Sequence, residues 1–271
     1  MLVNQSDFLQ TLWDYYQTNG RHDLLWRESD VDGNFDPYRI LVSEIMLQQT
    51  QVNRVTPKFN EFLINFPDVR SLASATLADV LALWSGLGYN RRAKFLWQAA
   101  QYVTGQCNGV FPQTSAELQK LPGVGKNTAG AIMAYAFNQP EVFIETNIRT
   151  VYIHHFFADQ GGVTDAAIYE VLQATIDQKN PREFYWALMD YGSHLKQTVG
   201  NLNKQSKGYV KQSAFKGSKR QVRGQVLKVL AGRQLNAHEL AEYIPDERLP
   251  TVLVDLVNEQ LIQQTNDTYR L

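Results

Sequence analysis

Leu121-Pro-Gly-Val-Gly-Lys-Asn-Thr-Ala-Gly130 is the stretch that says most about the fold of this chain. Pro122 ends the helix before it, and Gly123 and Gly125 permit a tight turn with positive φ before the next helix begins. Such a turn directs successive backbone N–H groups outward at a helix N-terminus, where the helix dipole favours an anion. A lone Gly-x-Gly turn is more often purely structural, so the surrounding motifs decide whether this one binds phosphate.

Helical periodicity dominates the chain around this turn. Apolar residues recur at i, i+3, i+4 and i+7 in two segments, Phe59, Phe62, Leu63 and Phe66 and then Leu77, Val80, Leu81 and Trp84. Thr76 before Asp79, and Thr114 before Glu117, have the spacing of capping boxes at helix starts. No run of alternating strand residues precedes the last ten residues. These patterns predict an all-α body.

The composition is that of an ordinary globular protein. Of its residues, 44% are hydrophobic and 20% are charged. The length of 271 residues predicts two compact lobes and a small appendage. No stretch approaches the roughly 18 apolar residues that cross a bilayer, and the first residues lack a signal-peptide pattern. We therefore expect a cytoplasmic, nucleoid-associated protein with no membrane partner. Cys107 is the only cysteine and cannot support a Cys-based metal site.

Positive charge is concentrated in one segment of a chain whose net charge is −1. Asp and Glu are absent between Tyr191 and His238, and the basic residues there are Lys196, Lys204, Lys207, Lys211, Lys216, Lys219, Arg220, Arg223, Lys228 and Arg233. Such a run is a solvated linker about as often as it is a nucleic-acid contact. Residues 201–218 are polar and contain glycine, which predicts a linker or a loosely docked arm.

The C-terminal residues form a separate pattern. Residues 222–230, 237–243 and 249–261 have helical character, and residues 263–271 can close them as a strand. Three helices and a strand are typical of a winged-helix domain, although a plain helical bundle suits the pattern nearly as well. We expect a small winged-helix-like appendage here.

Several motifs together resemble one enzyme superfamily. The stretch 121–130 resembles the helix-hairpin-helix of the DNA glycosylases that include endonuclease III and the MutY-type adenine glycosylases. Val42-Ser-Glu-Ile-Met-Leu-Gln-Gln-Thr-Gln-Val52 is similar to the MutY catalytic helix, and Leu83-Trp-Ser-Gly-Leu-Gly-Tyr-Asn-Arg-Arg-Ala93 to the segment that follows it. Shorter matches are Trp26-Arg27, Asp36-Pro-Tyr38, Phe111-Pro112 and Met189-Asp-Tyr-Gly192. The likeness covers about residues 6–195, with the motifs in the family's order.

The resemblance implies a two-lobed helix-hairpin-helix glycosylase fold. We expect a central lobe over residues 30–140, a second lobe from residues 1–29 and 141–215, and the appendage over residues 216–271. It also implies a monomer that binds double-stranded DNA, flips a mispaired base and hydrolyses its N-glycosidic bond. The expected substrate is adenine opposite 8-oxoguanine or guanine. The alternatives are a glycosylase for another base, such as uracil or thymine opposite guanine, and a non-catalytic DNA-binding module.

The same resemblance implies the catalytic residues. Glu44 matches the carboxylic acid that protonates the departing adenine, and a pocket that removes water from Glu44 would keep it protonated. Glu145 stands where the family has an aspartate that stabilises the positively charged sugar of the transition state. Asn147 matches an asparagine that orients this acid or the attacking water.

Asn127 stands where bifunctional relatives carry the lysine that forms a Schiff base with the sugar. Because an amide cannot do so, we expect a monofunctional enzyme without lyase activity. Lys126 points about 100° around the helix and is expected to contact phosphate. The residues expected at the phosphate are Gly123, Val124, Gly125, Lys126 and Thr128.

Further matched residues are expected in the base pocket or as wedges in the duplex. Gln48 and Gln49 match residues that fill the gap left by the flipped base and probe its partner. The full base-pocket and wedge set is Trp26, Arg27, Gln48, Gln49, Tyr89, Asn90 and Asn127. Asn90 replaces a tyrosine that wedges beside the oxidised guanine in MutY, which places the opposite base in question.

Two other departures from the family concern its cofactor and its recognition domain. The four cysteines that hold an iron–sulfur cluster are absent, the first aligning with Lys196, so neither a cluster nor another metal is expected. The C-terminal region does not resemble the MutY domain that recognises 8-oxoguanine. The basic segment from Lys196 onward can replace the phosphate contacts of the cluster loop.

Overall fold

The computed structural model describes residues 5–271 and is mostly helical. The first four residues of the segment predicted as 1–29 lie outside the described residues. The helices are α1 (Gln5–Asn19), α2 (Pro37–Leu47), α3 (Val52–Asn65), α4 (Val69–Ser74), α5 (Leu77–Trp84), α6 (Arg91–Gln106), α7 (Ser115–Leu118), α8 (Lys126–Phe137), α9 (Thr146–Phe156), α10 (Asp165–Thr175), α11 (Pro181–Thr198), α12 (Lys219–Leu230), α13 (Ala237–Tyr243) and α14 (Leu249–Asn258). Short 3-10 helices span Leu25–Arg27 and Leu202–Gln205. The all-α prediction is confirmed.

The helix starts follow from local side-chain chemistry. At α5, the Thr76 hydroxyl accepts from the Asp79 N–H at 3.2 Å while the Asp79 carboxylate accepts from the Thr76 N–H at 3.3 Å, which is the predicted capping box. At α7, the Thr114 hydroxyl accepts from the Glu117 N–H at 3.3 Å and donates to the Glu117 carboxylate at 2.8 Å. Each cap satisfies an N–H group that the helix itself leaves unpaired.

The chain forms two compact units. The first comprises Met1–Ile40, Gln113–Lys120 and Val124–Lys211, and the second comprises Leu41–Pro112, Leu121–Gly123 and Gln212–Leu271. These bounds are not those of the lobes expected from the family, so the predicted boundaries stay a prediction.

In the first unit, α9 packs along α11, and α11 also packs against α1 and α8. Tyr152 of α9 and Phe184 and Tyr185 of α11 are fully buried at this contact. The Tyr152 hydroxyl lies 2.6 Å from the Thr175 hydroxyl, so its polar end is paired inside the core. This packing fixes the N-terminal end of α9, where two of the predicted catalytic residues lie.

In the second unit, α4 and α5 pack on α6, with Phe62, Trp84 and Leu96 fully buried. The Trp84 indole N–H donates to the carbonyl of Gly88 at 3.1 Å and ties α5 to the loop that leads into α6. This hydrogen bond therefore anchors the residue just before the predicted residues Tyr89 and Asn90.

The C-terminal appendage is winged-helix-like, as predicted. Its elements follow the order α12, β1 (Leu235–Asn236), α13, α14, β2 (Gln263–Thr265) and β3 (Thr268–Arg270), and the antiparallel sheet has the order β1-β3-β2. The single strand predicted over residues 263–271 is wrong in detail, because Asn266 adopts φ 52° and turns the chain into a hairpin. The last helix ends at Asn258 rather than at the predicted 261.

Within the part of the chain that the structure describes, no helix is long and apolar enough to cross a membrane.

Candidate active site

Glu44 lies on the last turns of α2, in the second unit. Its side chain is half-buried, whereas Ser43, Ile45 and Met46 around it are almost inaccessible to solvent. The apolar face of the helix is thus anchored in the core, and Glu44 is on the face that remains partly open. A carboxyl group in such a place can meet a ligand while losing part of its hydration.

Arg92 fixes the C-terminal end of this helix. Its buried guanidinium donates to the carbonyl oxygens of Ile45 at 2.7 Å, Met46 at 3.0 Å and Gln48 at 2.5 Å. It also donates to the Gly88 carbonyl at 3.1 Å in the loop before α6. Burial lowers the pKa of Arg92 to about 10, so it stays charged at neutral pH. One cation therefore satisfies the orphan carbonyls of the helix that carries Glu44 and joins that helix to the Tyr89 loop.

Gln49 and Tyr89 have unusual backbone conformations. Their φ angles are 55° and 48°, in the left-handed region that side chains with a Cβ rarely adopt. Gln48 and Asn90, the neighbouring predicted residues, are half-buried. Asn90 precedes α6 and caps it with its backbone carbonyl, which accepts from the Ala93 N–H at 3.1 Å.

The glycines of the hairpin have different roles. Gly123 has φ 80°, as predicted, and a Cβ there would lie 2.7 Å from the Cβ of Phe95. The prediction of positive φ is wrong for Gly125, which has φ −88° and ψ −179° and is the N-cap of α8. A Cβ at Gly125 would meet nothing within 4 Å, so the backbone there is open to a ligand.

The remaining phosphate candidates divide between the core and the surface. Val124 and Thr128 are buried and hold the start of α8, whereas Lys126 is exposed. The Lys126 ammonium lies 5.4 Å from the centre of the Tyr169 ring. The first turn of a 12-residue helix thus carries an exposed cation next to an unobstructed glycine.

In the first unit, Glu145 is the N-cap of α9, but its side chain forms no capping hydrogen bond. Burial raises the pKa of Glu145, and the positive charge of Arg149 one turn later lowers it, with the net shift upward. Arg149 also binds the Asp165 carboxylate through two hydrogen bonds of 2.8 and 2.9 Å. The carboxylate of Glu145 is therefore available to a positively charged ligand, which would stabilise its ionised form.

One hydrogen bond places Asn127 beside the segment that carries Glu145 and Asn147, and a close backbone approach packs that segment on α11. Asn127 donates from its side-chain amide to the carbonyl of Ile144 at 2.8 Å, just before Glu145. A Cβ at Gly192 of α11 would overlap the carbonyl oxygen of Asn147, so only glycine allows this approach of α11 to α9. Gly192 of the Met189-Asp-Tyr-Gly192 segment thus allows α9 to pack closely on α11.

Trp26 and Arg27, predicted for the base pocket, are both buried in the first unit. The Arg27 guanidinium forms a fork with the Asp190 carboxylate through bonds of 2.8 and 2.9 Å, and Arg21 binds the same carboxylate at 2.7 Å. Burial alone would raise the pKa of Asp190, but Arg27 and Arg21 outweigh it and hold that pKa below its ordinary value. The geometry gives Arg27 a structural partner, and its part in base binding stays a prediction.

The structure adds three residues that sequence reasoning did not single out, namely Arg92, Arg149 and Asp190. Arg92 and Asp190 stand inside quoted motifs, so the motif matches were the available signal. A buried ionic partner far away in sequence leaves no periodic pattern, which is why the contacts themselves were missed.

The chain is similar to known proteins over the segment that carries these candidate residues. Residues 42–176 match the family of HhH-GPD superfamily base excision DNA repair proteins. The chain is 35% identical over 218 residues to an adenine DNA glycosylase of Buchnera aphidicola subsp. Baizongia pistaciae (strain Bp), covering 77% of this chain and 60% of that protein. It is 35% identical over 193 residues to the adenine DNA glycosylase of Homo sapiens, covering 69% of this chain and 35% of that protein.

A solved structure, that of a thermostable thymine-DNA glycosylase, has a TM-score of 0.60 at 25% identity and covers 70% of this chain and 86% of that one. The chain spans 60% or less of the length of the two curated relatives described above.

Proposed function

Because the chain belongs to the helix-hairpin-helix superfamily of base excision DNA repair proteins, we propose that it is a DNA glycosylase that removes adenine mispaired with 8-oxoguanine or guanine. The observation that carries this proposal is Glu44, half-buried on a helix whose sequence matches the catalytic helix of the MutY type. Relatives named adenine DNA glycosylase at 35% identity support adenine as the base.

In the proposed reaction, Glu44 donates its proton to ring nitrogen 7 of the flipped adenine. The bond from adenine nitrogen 9 to the sugar then breaks, and its electron pair leaves with the neutral base. General acid catalysis of this kind contributes about 10²- to 10⁴-fold to a rate. Arg92 supports this step indirectly, because it holds the end of the helix that carries Glu44.

The sugar that remains carries positive charge, and we assign Glu145 to stabilise it. A half-buried carboxylate that forms no capping hydrogen bond with its own helix can direct negative charge at the sugar. Asn147 orients the attacking water, whose oxygen bonds to the sugar carbon while its proton passes to Glu145 or to solvent. The products are free adenine and an abasic site.

We infer that the enzyme is monofunctional. The side chain at the Schiff-base position is Asn127, which has no amine and whose amide binds the Ile144 carbonyl. Lys126 is exposed beside Tyr169 and is assigned to phosphate binding. Strand cleavage should therefore not accompany base release.

DNA is the proposed partner, bound by a monomer. The start of α8, with Gly125 open and Lys126 exposed, supports binding of one phosphate without sequence preference. The basic residues from Lys196 onward add further phosphate contacts. Affinity should accordingly fall steeply as salt is raised, since each neutralised phosphate releases counterions.

The residues present do not fit an iron–sulfur cluster. Such a cluster is typically held by four thiolates, and Cys107, the only cysteine, lies at the end of α6 in the second unit. Lys196, at the position of the first cluster cysteine, lies in the last turn of α11 in the first unit. In the segment that follows, Asn203 is buried and donates to the Thr150 hydroxyl at 2.7 Å. We infer that this side-chain packing on α9 takes the place of a cluster.

The proposal is tested with a panel of duplexes carrying adenine, uracil, thymine or an alkylated base in defined pairs. After incubation with enzyme, alkali cleaves abasic sites and reveals which base was released. Release of adenine opposite 8-oxoguanine or guanine is the expected result. Release of only another base would contradict the proposed substrate, and release of none would favour a DNA-binding module without catalysis.

A further inference from the structure

In the second unit, side chains of the linker and of the C-terminal appendage contact two of the predicted wedge residues. The Gln212 side-chain amide donates to the Gln49 side-chain oxygen at 2.9 Å and also to the Tyr89 hydroxyl. The Arg220 guanidinium donates to the same hydroxyl and lies 5.2 Å from the centre of the Tyr89 ring. We call Gln49, Tyr89, Gln212 and Arg220 the Tyr89 cluster.

The backbone conformation of two residues in this cluster indicates that their side chains have a function. Gln49 and Tyr89 both have left-handed φ angles, whereas Gly86 and Gly88 in the same loop have positive φ at no steric cost. Non-glycine residues in this region are uncommon, and they concentrate at functional sites. The chain thus keeps a long polar and an aromatic side chain at positions where glycine would be easier.

Contacts between α6 and the end of α14 hold the appendage so that Arg220 can reach Tyr89. The Lys94 ammonium of α6 donates to the Glu259 carbonyl at 2.8 Å and to the Gln260 side-chain oxygen at 3.0 Å. Arg223 of α12 binds the Glu259 carboxylate at 2.5 Å. Two basic residues, one on the body of the unit and one on the appendage, therefore hold the same end of α14. This clamp sets where the first turn of α12, with Arg220, meets the Tyr89 loop.

The charge of the appendage favours α12 as its DNA-facing element. Helix α12 carries four basic residues and no acidic residue. Lys219 pairs with Asp255 and Arg223 with Glu259, whereas Arg220 and Lys228 form no salt bridge among the described residues. The two helices that correspond to the turn and recognition helix of a winged-helix domain carry Glu239, Glu242 and Asp255 instead. Acidic side chains repel phosphate, so this appendage is poorly suited to the usual groove-reading mode of its fold.

We propose that Gln212 and Arg220 read the base opposite the one that is excised, and that this base is guanine or its oxidised form. The inference rests on the proposed function and adds two specificity-determining residues to it. Gln49 and Gln212 are exposed, and Tyr89 and Arg220 are half-buried, so a base in the duplex can reach all four. The Tyr89 cluster lies next to Asn90, which stands where the family has a tyrosine beside the oxidised guanine.

The chemistry of the cluster matches that base. Guanine presents oxygen 6 and nitrogen 7 as acceptors, and an arginine fork binds both. Oxidation at carbon 8 adds a carbonyl acceptor and turns nitrogen 7 into a donor, and a glutamine amide can accept from one and donate to the other. The Tyr89 ring offers a flat surface next to these groups.

The test measures binding to duplexes that contain a tetrahydrofuran abasic analogue opposite 8-oxoguanine, guanine, cytosine or thymine. The native chain should bind most tightly when guanine or 8-oxoguanine is opposite. Arg220→Ala and Gln212→Ala should each reduce this preference over cytosine by about tenfold. Arg220→Lys keeps the charge but loses the fork, and it should lose the preference while retaining most of the affinity.

Arg233→Ala is the matched control, because Arg233 lies in the same appendage with its guanidinium 5.7 Å from the Tyr243 ring. It should leave the preference unchanged. A native chain without preference, or an unchanged preference in either Gln212→Ala or Arg220→Lys, would overturn the inference. Gln212 is exposed in the linker, so its replacement decides the matter even if Arg220→Ala fails to fold. The analogue has no base to excise, so the result is independent of whether adenine is the substrate.

Discussion

Asn127 donates a hydrogen bond of 2.8 Å to the backbone carbonyl of Ile144 and so braces the residue that precedes Glu145. The position at which bifunctional relatives carry a reactive lysine thus holds, in this chain, the segment of the carboxylate that we propose to be catalytic. Loss of one such hydrogen bond costs about 1 kcal/mol of stability.

Replacement of Asn127 by lysine should introduce Schiff-base chemistry. An amine at this position can attack the sugar of an abasic site, so borohydride should trap a covalent complex of Asn127→Lys with abasic duplex. The native chain and Asn127→Ala should give no trapped complex on a denaturing gel. Efficient trapping of the native chain would contradict the monofunctional assignment and direct attention to Lys126.

The acid limb of the pH–rate profile should report Glu145. The rate is expected to rise with pH as Glu145 ionises, because only the carboxylate stabilises the sugar cation. Arg149 lowers the pKa of Glu145, so Arg149→Gln should move this limb to higher pH under single-turnover conditions. Arg149→Lys keeps the charge and should leave the limb near its native position. If Arg149→Gln leaves the acid limb at its native pH, the limb does not report the ionisation of Glu145.

Glu145 should also reduce the stability of the fold at neutral pH. Burial raises its pKa above the ordinary value of 4.5, so the folded state favours the protonated form and loses stability as pH rises. Glu145→Gln should therefore raise the melting temperature at neutral pH, and the gain should vanish below pH 4.5, where both states are protonated. Calorimetry across this range measures the effect. A gain that persists at acid pH would have another cause.

Local patterns predicted more of the fold than long-range pairs did. The Thr76 cap and the positive φ of Gly123 follow from neighbouring residues, and both were predicted. The Arg27–Asp190 pair joins residues 163 positions apart, and the sequence around one residue does not identify the other as its partner. Such a pair depends on how α11 packs, which no single-segment pattern contains.

The same limit applied to the candidate site. Residue types at matched positions named Glu44, Glu145 and Asn127, because chemistry restricts which side chain can act there. The contact of Arg220 with Tyr89 spans 131 positions and was not predicted. The sequence of a basic segment does not show whether its side chains are solvated or packed against the rest of the protein.

Arg92 should be the most sensitive structural residue near Glu44. Arg92→Met leaves the carbonyls of Ile45, Met46 and Gln48 without their donor and should lower the free energy of unfolding by about 3 kcal/mol. Arg91→Met is the matched control, since the Arg91 side chain is 61% exposed and its change should fall within about 0.5 kcal/mol. Urea unfolding compares the two. Equal stability of both variants would show that Arg92 does not stabilise the C-terminal end of α2.

The most direct test of the proposed function is the single-turnover rate of adenine release by Glu44→Gln from a duplex with 8-oxoguanine opposite adenine. Glutamine keeps the shape of glutamate but cannot donate a carboxylic proton. We predict a rate lower by about 10²-fold or more, roughly 3 kcal/mol of transition-state stabilisation, with unchanged affinity for the duplex. Combination with Glu145→Gln should cost less than the sum of the two single changes, because both act on one transition state. A Glu44→Gln enzyme that releases adenine at the native rate would contradict the assignment of Glu44 as the acid.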